Sequence, residues 1–194
     1  MNLRNIPIIF LICIFFAARH PVQAQPASEP VYNLDLVDIY AELYPEKSEA
    51  WMIADIYFSC NGSDPVALRW DGNFTQLDLT FSDDPNPWYV RSAPYSWFYH
   101  LASGPHRIKL TGRVQCPSSE LSTNLVNFGP SSFWYPRNNA SDPHQVMLNL
   151  VTPPDFSIQS NASMVRDLPY NFKRMRTYEL STPLAEGLTL TGKR

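Results

Sequence analysis

Proline sets the first limit on what this chain can become. It occurs 18 times in 194 residues, roughly twice its average share. Beyond residue 30 no stretch of more than 19 residues is free of it. An interior proline removes a helical hydrogen bond and clashes with the preceding turn, so long helices are excluded. The intervals are filled by period-two alternation. Val37, Ile39, Ala41 and Leu43 fall on one face of an extended segment and Asp38, Tyr40 and Glu42 on the other, which predicts a half-buried strand. The same pattern recurs in Leu77 to Phe81, Ile108 to Thr111, Val146 to Leu150 and Leu188 to Leu190. Turn-forming residues cluster between these segments, at 61–65, 83–87, 103–105 and 153–154.

One segment is ambiguous. Glu49 to Ser59 is almost continuously apolar after a Pro45-Glu46 start that also suits a helix. Ile53, Ile56, Tyr57 and Phe58, and a companion strand over Asn33 to Leu43, favour a strand buried on both faces. Nine or more strands with turn signals between them predict an all-β, antiparallel β-sandwich. The chain has no internal repeat and no low-complexity tract. With 44% hydrophobic and 17% charged residues it holds enough apolar material for one packed domain.

The N-terminus reads as an export signal. Arg4 precedes an apolar run from Ile8 to Ala18, and Val22-Gln23-Ala24 supplies small-residue cleavage context. The division expected is a signal peptide over 1–24, cleaved between Ala24 and Gln25, then one domain over 25–194. The apolar run is 11 residues long, where a membrane-spanning helix needs about 20, so no stable span is expected after cleavage. Secretion or a periplasmic location follows from that reading.

Without Arg4 and Arg19 the balance is 13 bases against 18 acids, which disfavours nucleic acid as a partner. Charge is uneven along the chain. From Met164 to Arg194 there are six bases (Arg166, Lys173, Arg174, Arg176, Lys193, Arg194) and three acids (Asp167, Glu179, Glu186). Such a stretch is either a solvated sheet edge blunted by charge or a surface that docks an acidic partner. Two cysteines, Cys60 and Cys116, remain after processing. An oxidising compartment predicts a disulfide between them; the alternative is two buried thiols on neighbouring strands.

A zinc peptidase needs two histidines one helical turn apart with a carboxylate to activate water, and His100, His106 and His144 have no such spacing. No nucleophilic serine sits between glycines, and phosphate-cradling glycine loops are absent. The sequence therefore predicts no catalytic residue, no metal and no cofactor. Trp88 to Tyr99 is unusually aromatic; such a segment more often packs into a core, and the alternative is that Trp88, Tyr95, Trp97 and Tyr99 form a platform for sugar rings or proline-rich peptides. Asn61, Asn73, Asn139 and Asn161 open Asn-x-Ser/Thr sequons, which accept glycans in a eukaryotic secretory route.

Read in order, these pieces resemble the N-terminal β domain of the aminopeptidase N family of zinc metallopeptidases. The resemblance runs from about Tyr32 to Lys193. It rests on the opening pair Asp38 to Leu43 and Ala50 to Ile56, and on the strand start Gly104-Pro105-His106-Arg107-Ile108-Lys109-Leu110. Trp134-Tyr135-Pro136 follows, ahead of Val146 to Val151 and Pro153-Pro154-Asp155-Phe156. Thr177 to Ser181 and Leu188 to Gly192 close the series. The resemblance implies a saddle-shaped sandwich that packs on a zinc domain, whose metal-binding helix and substrate-anchoring motif do not occur in this sequence.

The function expected is thus non-catalytic: an exported domain binding a protein or peptide, with a separate catalytic peptidase subunit as one candidate partner. Trp134 and Tyr135 join the aromatic segment as candidate surface residues. The alternatives are a carbohydrate-binding module built on Trp88 to Tyr99, or a truncated relic of a peptidase.

Overall fold

The computed structural model describes residues 32–62, 65–70, 73–82, 88–92, 94–132, 134–138, 143–184 and 187–194, without the side chains of 183 and 184. The expected export signal and its expected Ala24–Gln25 cleavage point, the expected 83–87 turn and the Asn139 sequon lie outside the described residues. The strands are β1 (Tyr32–Tyr44), β2 (Glu49–Cys60), β3 (Val66–Arg69), β4 (Asn73–Phe81), β5 (Trp88–Ser92), β6 (Tyr95–Tyr99) and β7 (Gly104–Gln115), then β8 (Leu121–Ser122), β9 (Leu125–Phe128), β10 (His144–Thr152), β11 (Ser157–Ser160), β12 (Ser163–Tyr170), β13 (Lys173–Leu184) and β14 (Leu190–Lys193). A 3-10 turn, Pro45–Lys47, lies between β1 and β2.

The strands form three sheets. A seven-stranded sheet runs β12-β13-β10-β1-β2-β7-β4, a four-stranded one β11-β14-β9-β8, and a three-stranded one β3-β6-β5. One core joins them. The large sheet contributes Val37, Ile39, Ala54, Ile56, Ile108, Leu110, Leu148 and Leu150, and the small sheets contribute Leu68, Phe98, Val126, Phe128 and Leu190. The all-β sandwich expected from alternation is therefore present, with the large sheet facing the two small ones.

Three details differ from the sequence reading. First, β1 pairs with β10 in parallel, inside a sheet that is otherwise antiparallel. Alternation specifies which face is buried but not the direction of the neighbouring strand. Second, β2 is buried on one face only: Ala50, Met52, Ala54, Ile56 and Phe58 lie in the core, while Trp51, Ile53 and Tyr57 are half-buried. These large side chains shield one another and their neighbours, as where the Arg107 guanidinium lies 5.4 Å from the Tyr57 ring centre. Third, Gly104 and Pro105 begin β7 rather than forming a turn. β4 reaches only as far as Ile108 on β7, so that flank of Pro105 has no strand needing its missing N–H.

The expected disulfide is absent. Cys60 and Cys116 are free and buried. Cys60 lies opposite Gly104 at one end of the β2–β7 pair, and Gln115, next to Cys116, lies opposite Glu49 at the other. At the strand rise of about 3.3 Å per residue the thiols are roughly 35 Å apart, whereas a bridge needs Cα atoms within about 7 Å. Of the alternative, two buried thiols on neighbouring strands, the burial is found, with Cys60 ending β2 and Cys116 just past the end of β7.

Candidate functional site

Among the described residues no three His, Cys, Asp or Glu side chains are grouped to hold a metal ion. Each described histidine has a local occupation. His106 Nε2 lies 2.7 Å from the Ala102 carbonyl oxygen and its ring stacks on Phe58. His100 stacks against Trp88, and His144 Nε2 lies 3.1 Å from the Tyr135 hydroxyl.

Sequence reasoning missed one juxtaposition of acids. Asp38 and Asp55 are directly opposed on β1 and β2, and the next strand brings Lys109 opposite Asp55 and Arg107 within 2.9 Å of its carboxylate. Burial raises the Asp38 carboxyl above its ordinary range, Asp55 adds to the rise and Arg107 opposes it. The two acids stand 17 positions apart in sequence, so only the antiparallel register reveals them.

The candidate surface residues separate into two groups. Trp134 and Tyr135 are 5% and 0% exposed, which corrects their assignment to an exposed patch. Trp134 stacks on Phe128 with ring centres 5.1 Å apart, and its indole N–H points at the Leu188 carbonyl, 3.4 Å away. The Tyr135 hydroxyl accepts from the Leu188 N–H at 3.0 Å while meeting His144. Burial pushes the Tyr135 hydroxyl up to about 12, against the lowering effect of the Leu188 bond and of Arg137. Gly187 has φ +68, and a β-carbon there would run into the Tyr135 hydroxyl. This cluster ties the 134–138 segment to β10 and to the approach to β14; it is architecture.

The aromatic segment forms an antiparallel hairpin at the rim of the three-stranded sheet, with Trp88 opposite Tyr99 and Ser92 opposite Tyr95. β5 is exposed along its whole length. Trp88 is 54% exposed, its ring 4.6 Å from that of Tyr99 and 5.9 Å from that of His100. Tyr95 and Trp97 are half-buried and pack on each other at 5.7 Å. Only part of the predicted platform is therefore presented to solvent.

A second exposed surface was legible in the sequence only as a basic stretch. The β12–β13 hairpin carries Met164, Val165, Leu168, Tyr170 and Phe172 as exposed large apolar side chains. An apolar cluster of this kind at an edge marks an interaction site more often than a scatter of single residues does.

The fold has known counterparts. The chain superimposes on a mutant of a two-domain M1 zinc metallopeptidase bound to L-arginine with a TM-score of 0.65 at 13% identity. It superimposes on an M1 zinc metallopeptidase from Deinococcus radiodurans with a TM-score of 0.64 at 13% identity. A mutant of the Deinococcus radiodurans protein bound to a Tyr-Ser-Ala substrate gives 0.65 at 13%. Each comparison covers 84% of this chain and 42% of the peptidase, so the chain spans less than half the length of the peptidases it matches. No family model matches the sequence, and no curated protein matches it. What is shared is the fold.

Proposed function

We propose that this chain is an exported, non-catalytic β-sandwich that acts by binding protein, with a separate catalytic peptidase subunit as the class of partner. The observation that carries this reading is the coverage: a fold shared over 84% of this chain accounts for only 42% of each matched peptidase. In those proteins the shared fold therefore stands beside a larger remainder of polypeptide. The exposed apolar side chains of the β12–β13 hairpin support the same reading, because an isolated domain gains nothing by leaving them in water.

The test has two arms. The purified full chain, supplied with zinc, is assayed on a set of aminoacyl-p-nitroanilides, and co-purification from the native source is followed by mass spectrometry. Expected are no turnover and a stoichiometric protein partner. Turnover, or a chain that stays strictly alone, overturns the proposal.

A second reading, carbohydrate binding, is favoured by one observation: Trp88 is exposed beside Tyr99 and His100, the geometry on which a sugar ring stacks. It requires a glycan-dependent change in tryptophan fluorescence that Trp88→Ala abolishes.

A further inference from the structure

The two edges of the seven-stranded sheet are built in opposite ways. β12 forms one of them; it contains Pro169, and its register slips between Met164 and Arg166. Proline and a bulge both obstruct the addition of a further strand. β4 forms the other edge and, among the described residues, pairs only with β7. Its register slips once, near its start, between Phe74 and Gln76. From Gln76 to Phe81 the pairing is regular, and the Ser82 N–H, donating to the Arg107 carbonyl at 3.2 Å, carries it one residue further. That run has no proline, lysine or arginine, and Asp78 is its one charged residue. No described strand receives the outward half of its N–H and C=O groups, which only another extended chain can match as a ladder.

The side chains of the run are sorted by face. Leu77, Leu79 and Phe81 are half-buried against the core, with the Phe81 ring 5.5 Å from that of Phe98. Gln76, Asp78, Thr80 and Ser82 are exposed on the other face. Directly opposed residues of paired strands share a face, so a strand added here must set apolar side chains beside the first row and a partner for Asp78 beside the second.

The run meets both requirements with its own sequence. Paired antiparallel with a second copy so that Leu79 faces Leu79, it places Leu77 opposite Phe81, Asp78 opposite Thr80 and Gln76 opposite Ser82. The Asp78 row then continues past Thr80 to Lys109, which is exposed, lies opposite Thr80 on β7 and has Asp55 on its far side. The Cα atoms of Asp78 in one copy and Lys109 in the other are about 10 Å apart, two strand spacings, a gap that the four-carbon lysine stem and the aspartate side chain bridge over the short threonine. Neighbouring registers lack this match. Centring the pair on Asp78 opposes two carboxylates, and centring it on Leu77 brings the bulged Thr75 opposite Leu79.

We infer that two copies of this chain associate through β4 in the Leu79-centred register, as a two-fold dimer whose large sheets join into one. The inference goes beyond the protein-binding proposal and does not rest on it. A second copy fits better than a foreign strand because the apolar row and the charged row are both complemented by the run itself. Association stops at two: the interface is isologous and uses up β4, while each outer end of the joined sheet is a β12 strand blunted by Pro169 and its bulge.

The purified protein is examined by sedimentation equilibrium up to about 500 μM, because one strand pair falls below the roughly 1,200 Å² of a standard interface and associates weakly. Expected is a monomer–dimer equilibrium with no larger species. Asp78→Lys alters an exposed side chain, and an unchanged unfolding midpoint confirms that the variant folds. It sets lysines of opposite copies along one row, and the dimer should weaken about 10-fold. Cysteine cross-linking reads the register: Asp78→Cys and Thr80→Cys proteins, mixed and oxidised with copper phenanthroline, should link to each other faster than either links to itself. A protein that stays monomeric, a dimer indifferent to Asp78→Lys, or cross-linking without that preference each overturns the inference. A monomer whose amide exchange slows over Gln76 to Ser82 on binding another protein overturns it in favour of a foreign strand.

Discussion

Single residues decide whether the three sheets meet correctly, and Tyr135 is the most informative. Its hydroxyl serves the Leu188 N–H and His144 inside the core, so Tyr135→Phe leaves a buried donor without its acceptor. A loss of about 1–3 kcal/mol is expected, measurable by chemical denaturation. The same hydroxyl gives a pH dependence. Its pKa is raised to about 12 in the folded protein from 10.0, so above pH 10 the unfolded chain binds fewer protons than the native one. Its contribution is present below pH 10 and is lost as pH rises through 12. Comparing stability at pH 9 and pH 11 should show a smaller decline in Tyr135→Phe than in wild type; equal declines would refute the assignment.

The cysteines give a second residue-scale prediction. Burial pushes the Cys116 thiol up to about 12, with Glu120 adding to the effect, and a protonated thiol reacts slowly. Alkylation of Cys116 should therefore be slow in the native protein and rapid after unfolding, without a reductant. A dithiothreitol-dependent shift of the unfolding midpoint would contradict the separation of Cys60 from Cys116. The sequence suggested the bridge because export and cysteine number bear on pairing, while the register that sets the thiols at opposite ends of a strand pair involves a partner strand more than 40 residues away.

Among elements, the outer strands carry the clearest tests. The Asn161 side chain donates to the Gly187 carbonyl at 2.9 Å and accepts from the Thr189 N–H at 2.9 Å, tying the β11–β12 turn to the approach to β14. Asn161→Ala should cost about 1–2 kcal/mol and speed hydrogen exchange in β14 before the large sheet is affected. Both polar ends of that amide are committed, so this sequon is a structural position, whereas Asn73 opens an exposed edge strand. Replacing Pro169 by valine on β12 restores a backbone donor to an outer strand, and light scattering should show faster aggregation on mild heating than in wild type.

How far the elements could be read in advance follows from what alternation encodes. β1, β4, β7 and β10 were visible because their inward residues recur every second position. The β12–β13 hairpin was not visible as an apolar surface. Its exposed Met164, Val165 and Leu168 lie among arginines and a proline, so the stretch reads as a charged edge until the fold shows which side chains lack a neighbour. Trp134 and Tyr135 failed in the opposite sense: two adjacent aromatics resemble a platform, and only the packing of Phe128, His144 and Leu188 around them shows a core.

At the scale of the whole molecule, one apolar cluster spans all three sheets, so they should unfold together. Tryptophan fluorescence and far-ultraviolet circular dichroism are expected to give coincident denaturation curves; separated midpoints would mean that a small sheet melts independently. Non-local pairing also predicts slow folding, in milliseconds to seconds. The parallel contact of β1 with β10 makes the order of synthesis matter. At a translation rate of about 5–20 residues per second, the first hairpin emerges and then waits roughly 5–20 seconds with one flank unfilled until the strand that closes it leaves the ribosome. A nascent chain arrested before His144 should therefore be a sticky species, held by chaperones, and release should follow once the stretch through Thr152 is free.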